Sequence, residues 1–122
     1  MLRFSIDLPP LRLSECFSNA RRAGRVDSPQ YKAWKRMADM MVMAALVGRA
    51  RAGGSPLVPG RVGVRFVVRD KNDRSDLDNK LKCLCDMLVR NFIITDDSYI
   101  DRLEIVRTKA EAPEVAVEVW PN

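Results

Sequence analysis

Residues 62 to 89 read VGVRFVVRDKNDRSDLDNKLKCLCDMLV, and three patterns follow one another within them. Val62, Val64, Phe66 and Val68 alternate with their neighbours, the period of a strand with one buried face. Arg69 to Ser75 is a polar run of high charge and reads as a loop. From Asn79 to about Val89 the period lengthens. Leu77, Leu81, Leu84 and Leu88 recur at spacings of three and four, one face of an amphipathic helix. Asp78 stands where it would cap that helix.

Upstream, Leu2, Phe4, Ile6 and Leu8 give another alternating strand, closed by Pro9 and Pro10. Residues 11 to 27 have no clear period and read as an exposed, basic loop. Ser28-Pro29 opens a helix, serine as N-cap and proline at the first helical position. Tyr31, Trp34, Ala38, Met41 and Ala45 mark its buried face. Its Met-rich end is expected to fill core space, a dimer contact being the alternative. Gly48 to Gly60 is turn-rich. Downstream, Asn91 to Thr95 is a short apolar connection ending in Asp96-Asp97. Leu103 and Ile105 mark a third strand, and Val115, Val117 and Val119 a fourth, with Glu111 to Pro113 as the turn between them. The order is β-α-β-α-β-β, which predicts an α+β fold: one mixed sheet with two helices packed on it, a single domain over residues 1–122.

The chain carries 21 Lys and Arg against 16 Asp and Glu, a formal charge of +5. That surplus favours an anionic partner, nucleic acid first. Basic residues cluster at Arg21, Arg22 and Arg25, at Lys32, Lys35 and Arg36, and at Arg49 and Arg51; for any single cluster, solvated surface is the leading reading. There is no histidine, which removes Ser-His and Cys-His nucleophile pairs and Cys/His zinc sites. Acid-base work falls to carboxylates, lysine, tyrosine or water. The three cysteines, Cys16, Cys83 and Cys85, lack CxxC spacing and read as reduced, core-filling thiols. No apolar run approaches the roughly 18–20 residues that span a bilayer, and no secretory signal is seen. A non-membrane, intracellular protein is expected.

On a helix, residues four apart share a face, so Asp78, Lys82 and Asp86 form one charged stripe opposite the leucines. Asp76 reaches the same place from the preceding loop. Asp97 joins them only if the chain folds back. Carboxylates gathered at one point repel unless a cation sits among them, and Mg²⁺ takes such oxygens alongside water and substrate phosphate. With Lys82 stabilising the phosphate or orienting water, the set would make a phosphodiesterase without histidine. Spacing alone leaves a second reading open, in which the same residues are a helix cap, surface ion pairs and a turn.

The run Ser75-Asp-Leu-Asp-Asn-Lys-Leu-Lys82, followed by Cys-Leu-Cys-Asp86-Met-Leu and by Ile94-Thr-Asp-Asp97, closely resembles the RusA family of Holliday junction resolvases. Leu8-Pro9-Pro10 and Ser18-Asn19 resemble the family's N-terminal segment. The resemblance implies a homodimer, bacterial or prophage-encoded and cytoplasmic, that nicks four-way DNA junctions symmetrically with Mg²⁺ or Mn²⁺. It implies Asp76, Asp78 and Asp97 as metal ligands and Lys82 as the catalytic lysine. Asn79 and Asp86 match motif positions of unassigned role, and Asp96 ranks below Asp97. Arg21, Arg22, Arg25, Arg74 and Asn79 are candidate DNA contacts. Ser75 stands where a member of the family has an arginine next to the DLDN run, a place that Arg74 could fill. Two other readings accompany this one: a DNA-binding dimer that has lost its chemistry, and a nuclease acting on other branched DNA.

Overall fold

The computed structural model describes residues 1–20, 24–70 and 76–122. In chain order these form β1 (Leu2–Ile6), α1 (Leu13–Cys16), β2 (Phe17–Ala20), β3 (Gly24–Asp27), α2 (Pro29–Arg51), β4 (Val62–Arg69), a 3-10 turn (Leu77–Lys80), α3 (Leu81–Arg90), a second 3-10 turn (Asp97–Tyr99), β5 (Ile100–Thr108) and β6 (Val115–Pro121). The fold is α+β, with a mixed four-stranded sheet ordered β1-β6-β4-β5. β6 runs antiparallel to both β1 and β4, while β5 is parallel to β4. A parallel pair needs a long crossover, and α3 lies within it. Phe4, Val117, Phe66 and Ile105 stand side by side across the four strands. With Leu2, Ile6, Val62, Val64, Val68, Val115 and Val119 they form the sheet side of the core.

Helix α2 supplies Tyr31, Trp34, Ala38 and Val42 to that core, and α3 supplies Cys83, Leu84, Met87 and Leu88. Ser28 caps α2 as expected, its Oγ accepting the Tyr31 N–H at 3.0 Å. Among the described residues, no helix is long and apolar enough to cross a membrane.

Four local expectations are corrected. Residues 11 to 27 are not all loop: α1 and the antiparallel β2–β3 hairpin lie within them. Strands of four residues show no usable period. Tertiary contacts hold them instead, with Ser28 N–H donating to Cys16 O at 2.9 Å and Phe17 packed edge-on to Tyr31 at 5.8 Å. Helix α2 runs through Gly48 and stops near Gly53, whose φ of 77° marks the break. The Met-rich segment is mostly not core, since Met40 and Met43 are each 72% exposed and Ala45 is exposed too. Finally, Asp78 does not cap α3. The 3-10 turn intervenes, with Asp76 at its N-cap, and the Leu81 N–H bonds the Asp78 carbonyl.

Candidate active site

The DLDN run is seated by its own lysine. Asp70, buried just beyond the end of β4, accepts from Arg107 Nε on β5 at 3.2 Å and faces Lys80 Nζ at 3.5 Å. Buried charges persist only when paired, so this trio fastens the 3-10 turn to the end of the β4–β5 pair. The two lysines of the motif therefore divide. The Lys80 side chain is 10% exposed and structural, whereas the Lys82 side chain is 46% exposed.

Asp76 and Asp78 sit at the start of that turn and are both exposed. Among the described residues, neither carboxylate takes part in an ion pair. In the first turn of α3, Lys82 Nζ donates to Asp86 Oδ1 at 3.3 Å. The other oxygen of Asp86 accepts from the hydroxyl of Tyr31 at 3.1 Å. Burial, and then the charge of Asp86, push the Tyr31 phenol above its ordinary range, so it remains a donor.

Asp97 opens the second 3-10 turn, which packs against α3. It shares with Asp86 an open pocket of about 360 Å³, lined also by Lys35, Arg90 and Asp96. Cys85 registers this convergence. Its thiol is pushed up to about 11, first by burial and then by the negative charges of Asp86 and Asp97, against the opposing charge of Lys82. Asp96 is engaged differently, its Oδ2 accepting from Ser98 N–H at 3.2 Å and Ser98 Oγ at 2.5 Å as the turn's cap. Those bonds from Ser98 lower the Asp96 pKa.

The chain thus folds Asp97 back to the pocket that Asp86 lines. Among the described residues, no three carboxylate or thiol groups converge closely enough to form a ready metal cage. The donors themselves are exposed hard oxygens on two turns that both pack on α3. That chemistry fits Mg²⁺, which binds through one or two carboxylates and keeps several waters or phosphate oxygens.

A family model described as endodeoxyribonuclease RusA matches residues 14–120. The chain belongs to the RusA family. Its activity at that level is that of an endodeoxyribonuclease of Holliday junctions, as the motif's resemblance implies. No curated protein is similar enough to the chain to register as a match.

In this RusA-family chain the β2–β3 hairpin stands next to the motif turn. Arg25 and Asn79, both expected at DNA, line one pocket there. Arg21, Arg22, Arg74 and Ser75 lie outside the described residues. Of the other basic residues, Lys35 pairs with Asp27, and Arg49 donates to the Ser55 carbonyl at 2.9 Å. Sequence reasoning missed Asp70 and Lys80 as a unit and read Tyr31 only as core. The available signal for Tyr31 was its hydroxyl, which needs a partner when buried.

Proposed function

We propose that this chain resolves Holliday junctions by Mg²⁺-dependent, symmetric nicking as a homodimer in the bacterial cytoplasm. Family membership supplies the reaction class. The observation that carries the reading to residues is the division of the two lysines: Lys80 is buried against Asp70, and Lys82 is exposed and held by Asp86 beside Asp97.

Asp76, Asp78 and Asp97 would hold Mg²⁺, or Mn²⁺ in its place, which when bound supplies Lewis acidity at the scissile phosphate and acidifies a water. The protein's own part is electrostatic. Hydrolysis of a phosphodiester gathers negative charge on the equatorial oxygens, and the Lys82 ammonium stands to offset it or to orient the attacking water. Asp86 fixes the direction of that ammonium. With no histidine in the chain, the proton leaving the water passes to solvent or to a carboxylate. A two-fold dimer presents two identical sites to the two symmetry-related strands of a four-way junction.

The test is cleavage in Mg²⁺ of a four-way junction, a fork, a flap and a linear duplex of shared sequence, alongside the mass of the protein in solution. Paired nicks in the junction at the highest rate, by a dimer, are expected. Faster cutting of forks or flaps would transfer the assignment to other branched DNA, and binding without nicking at any Mg²⁺ or Mn²⁺ concentration would remove the chemistry.

A further inference from the structure

Beside the carboxylates, an open pocket of about 420 Å³ lies between α1, the β2–β3 hairpin and the motif turn. Its polar lining is of one kind. Ser14, Ser18, Asn19 and Asn79 offer neutral donors, Arg25 brings a positive charge, and among the described residues no carboxylate lines it. The pocket at Asp97 differs, its wall mixing the carboxylates of Asp86, Asp96 and Asp97 with the cations of Lys35 and Arg90. Asn79 follows Asp78 directly in the chain, so the anion-favouring pocket adjoins the carboxylate site.

Arg25 is preset. Its guanidinium lies over the Phe17 ring, 4.0 Å from the centroid, and Phe17 is braced edge-on by buried Tyr31. Stacking restricts a guanidinium's rotamers while leaving its in-plane N–H fork for an anion. The same stack argues against a base in the pocket. With Arg25 over it, one face of Phe17 is closed to an unstacked base.

We propose that this pocket binds one backbone phosphate of the substrate strand, adjacent to the scissile phosphate, with Arg25 as its anchor. The proposal rests on the nuclease reading and adds a register to it. Phosphate contacts position a protein on DNA without reading sequence. A fixed contact here would set which phosphodiester reaches Asp76, Asp78 and Lys82.

The experiment places a single neutral methylphosphonate, in turn, at each position around the cleavage point of a synthetic four-way junction. Binding is measured without divalent metal for the parent and for Arg25→Gln. At one position outside the scissile phosphate, neutralisation should weaken parent binding by about tenfold, the order of one charge-assisted contact, and should not weaken Arg25→Gln further. An abasic nucleotide at that position should leave both affinities unchanged. Equal losses for parent and variant at every position overturn the pocket assignment, as does coupling of Arg25 to the abasic change instead. If the parent still cuts junctions in Mg²⁺, only this proposal falls. If the parent neither binds nor cuts them, the nuclease reading falls with it.

Discussion

The hydroxyl of Tyr31, 1% exposed on α2, donates to Asp86 of α3 across 3.1 Å, and the second oxygen of the same carboxylate holds Lys82 at 3.3 Å. A core residue thereby sets the direction of a surface ammonium. Truncating the donor should loosen Lys82 without removing charge. Misplacement of a catalytic group by an ångström costs up to about a hundredfold. Tyr31→Phe is expected to slow junction cleavage about tenfold, and Asp86→Asn more, with junction affinity unchanged. Single-turnover cleavage and metal-free binding measure the two quantities. Unaltered rates in both variants would leave Asp86 as an ordinary surface partner.

The two motif lysines should give opposite phenotypes. Lys80→Ala takes a buried ammonium away from the buried Asp70 carboxylate, and is expected to cost about 2–3 kcal/mol of stability. Lys82→Ala removes an exposed i,i+4 pair that contributes less than about 0.5 kcal/mol, yet it should lower cleavage by at least about a hundredfold. Denaturant midpoints and cleavage rates on both variants check the division. A stable, inactive Lys80→Ala would reverse it.

How much of this was legible beforehand differs by element. The sheet and both long helices follow from periodicity, because Phe66, Val117 and Leu84 sit in patterns that only one burial geometry satisfies. The β2–β3 hairpin escaped because four-residue strands carry no period and draw their stability from Phe17, Tyr31 and Ser28. Met40 and Met43 were misread because composition does not say which side of a helix faces the sheet. At the site, the i,i+4 pair of Lys82 and Asp86 was visible, but Asp78 sits in the 3-10 turn ahead of α3 and not on one helical stripe with them. The buried role of Lys80 was not visible, since Asp70 lies ten positions away and meets it only through the fold. That Asp97 returns to Asp86 likewise depends on the path after α3.

That path begins at Phe92, whose φ is 59°. Its N–H bonds Val89 O at 3.1 Å and the Ile93 N–H bonds Leu88 O at 2.9 Å, a Schellman closure that normally takes glycine. The ring is 75% exposed, so little packing offsets the backbone cost. Phe92→Gly is expected to raise stability by up to about 1 kcal/mol. Thermal or denaturant unfolding checks this, and destabilisation would mean that the ring packs in the working protein.

Asp39 joins α2 to the end of α3, accepting from Arg90 at 2.7 Å and from Asn91 at 2.9 Å. Burial pushes its pKa up, but the bonds from Arg90 and Asn91 outweigh that and leave it below the ordinary 3.8. A depressed carboxylate contributes its full stability above the unfolded value and loses it as pH falls through the folded one. Asp39→Asn should therefore cost about 1 kcal/mol at neutral pH, a modest figure for a partly exposed pair. The gap between parent and variant should close below pH 3.8. A gap that persists at lower pH would assign the loss to packing.

The assignment of Asp76, Asp78, Lys82 and Asp97 as one metal-dependent centre is tested most directly at Asp78. Cleavage and binding of the same synthetic four-way junction would be followed in Mg²⁺ for the parent and Asp78→Asn. Loss of nicking by at least about a thousandfold, with affinity retained, is the expected result. An Asp78→Asn protein that nicks the junction as fast as the parent would contradict it.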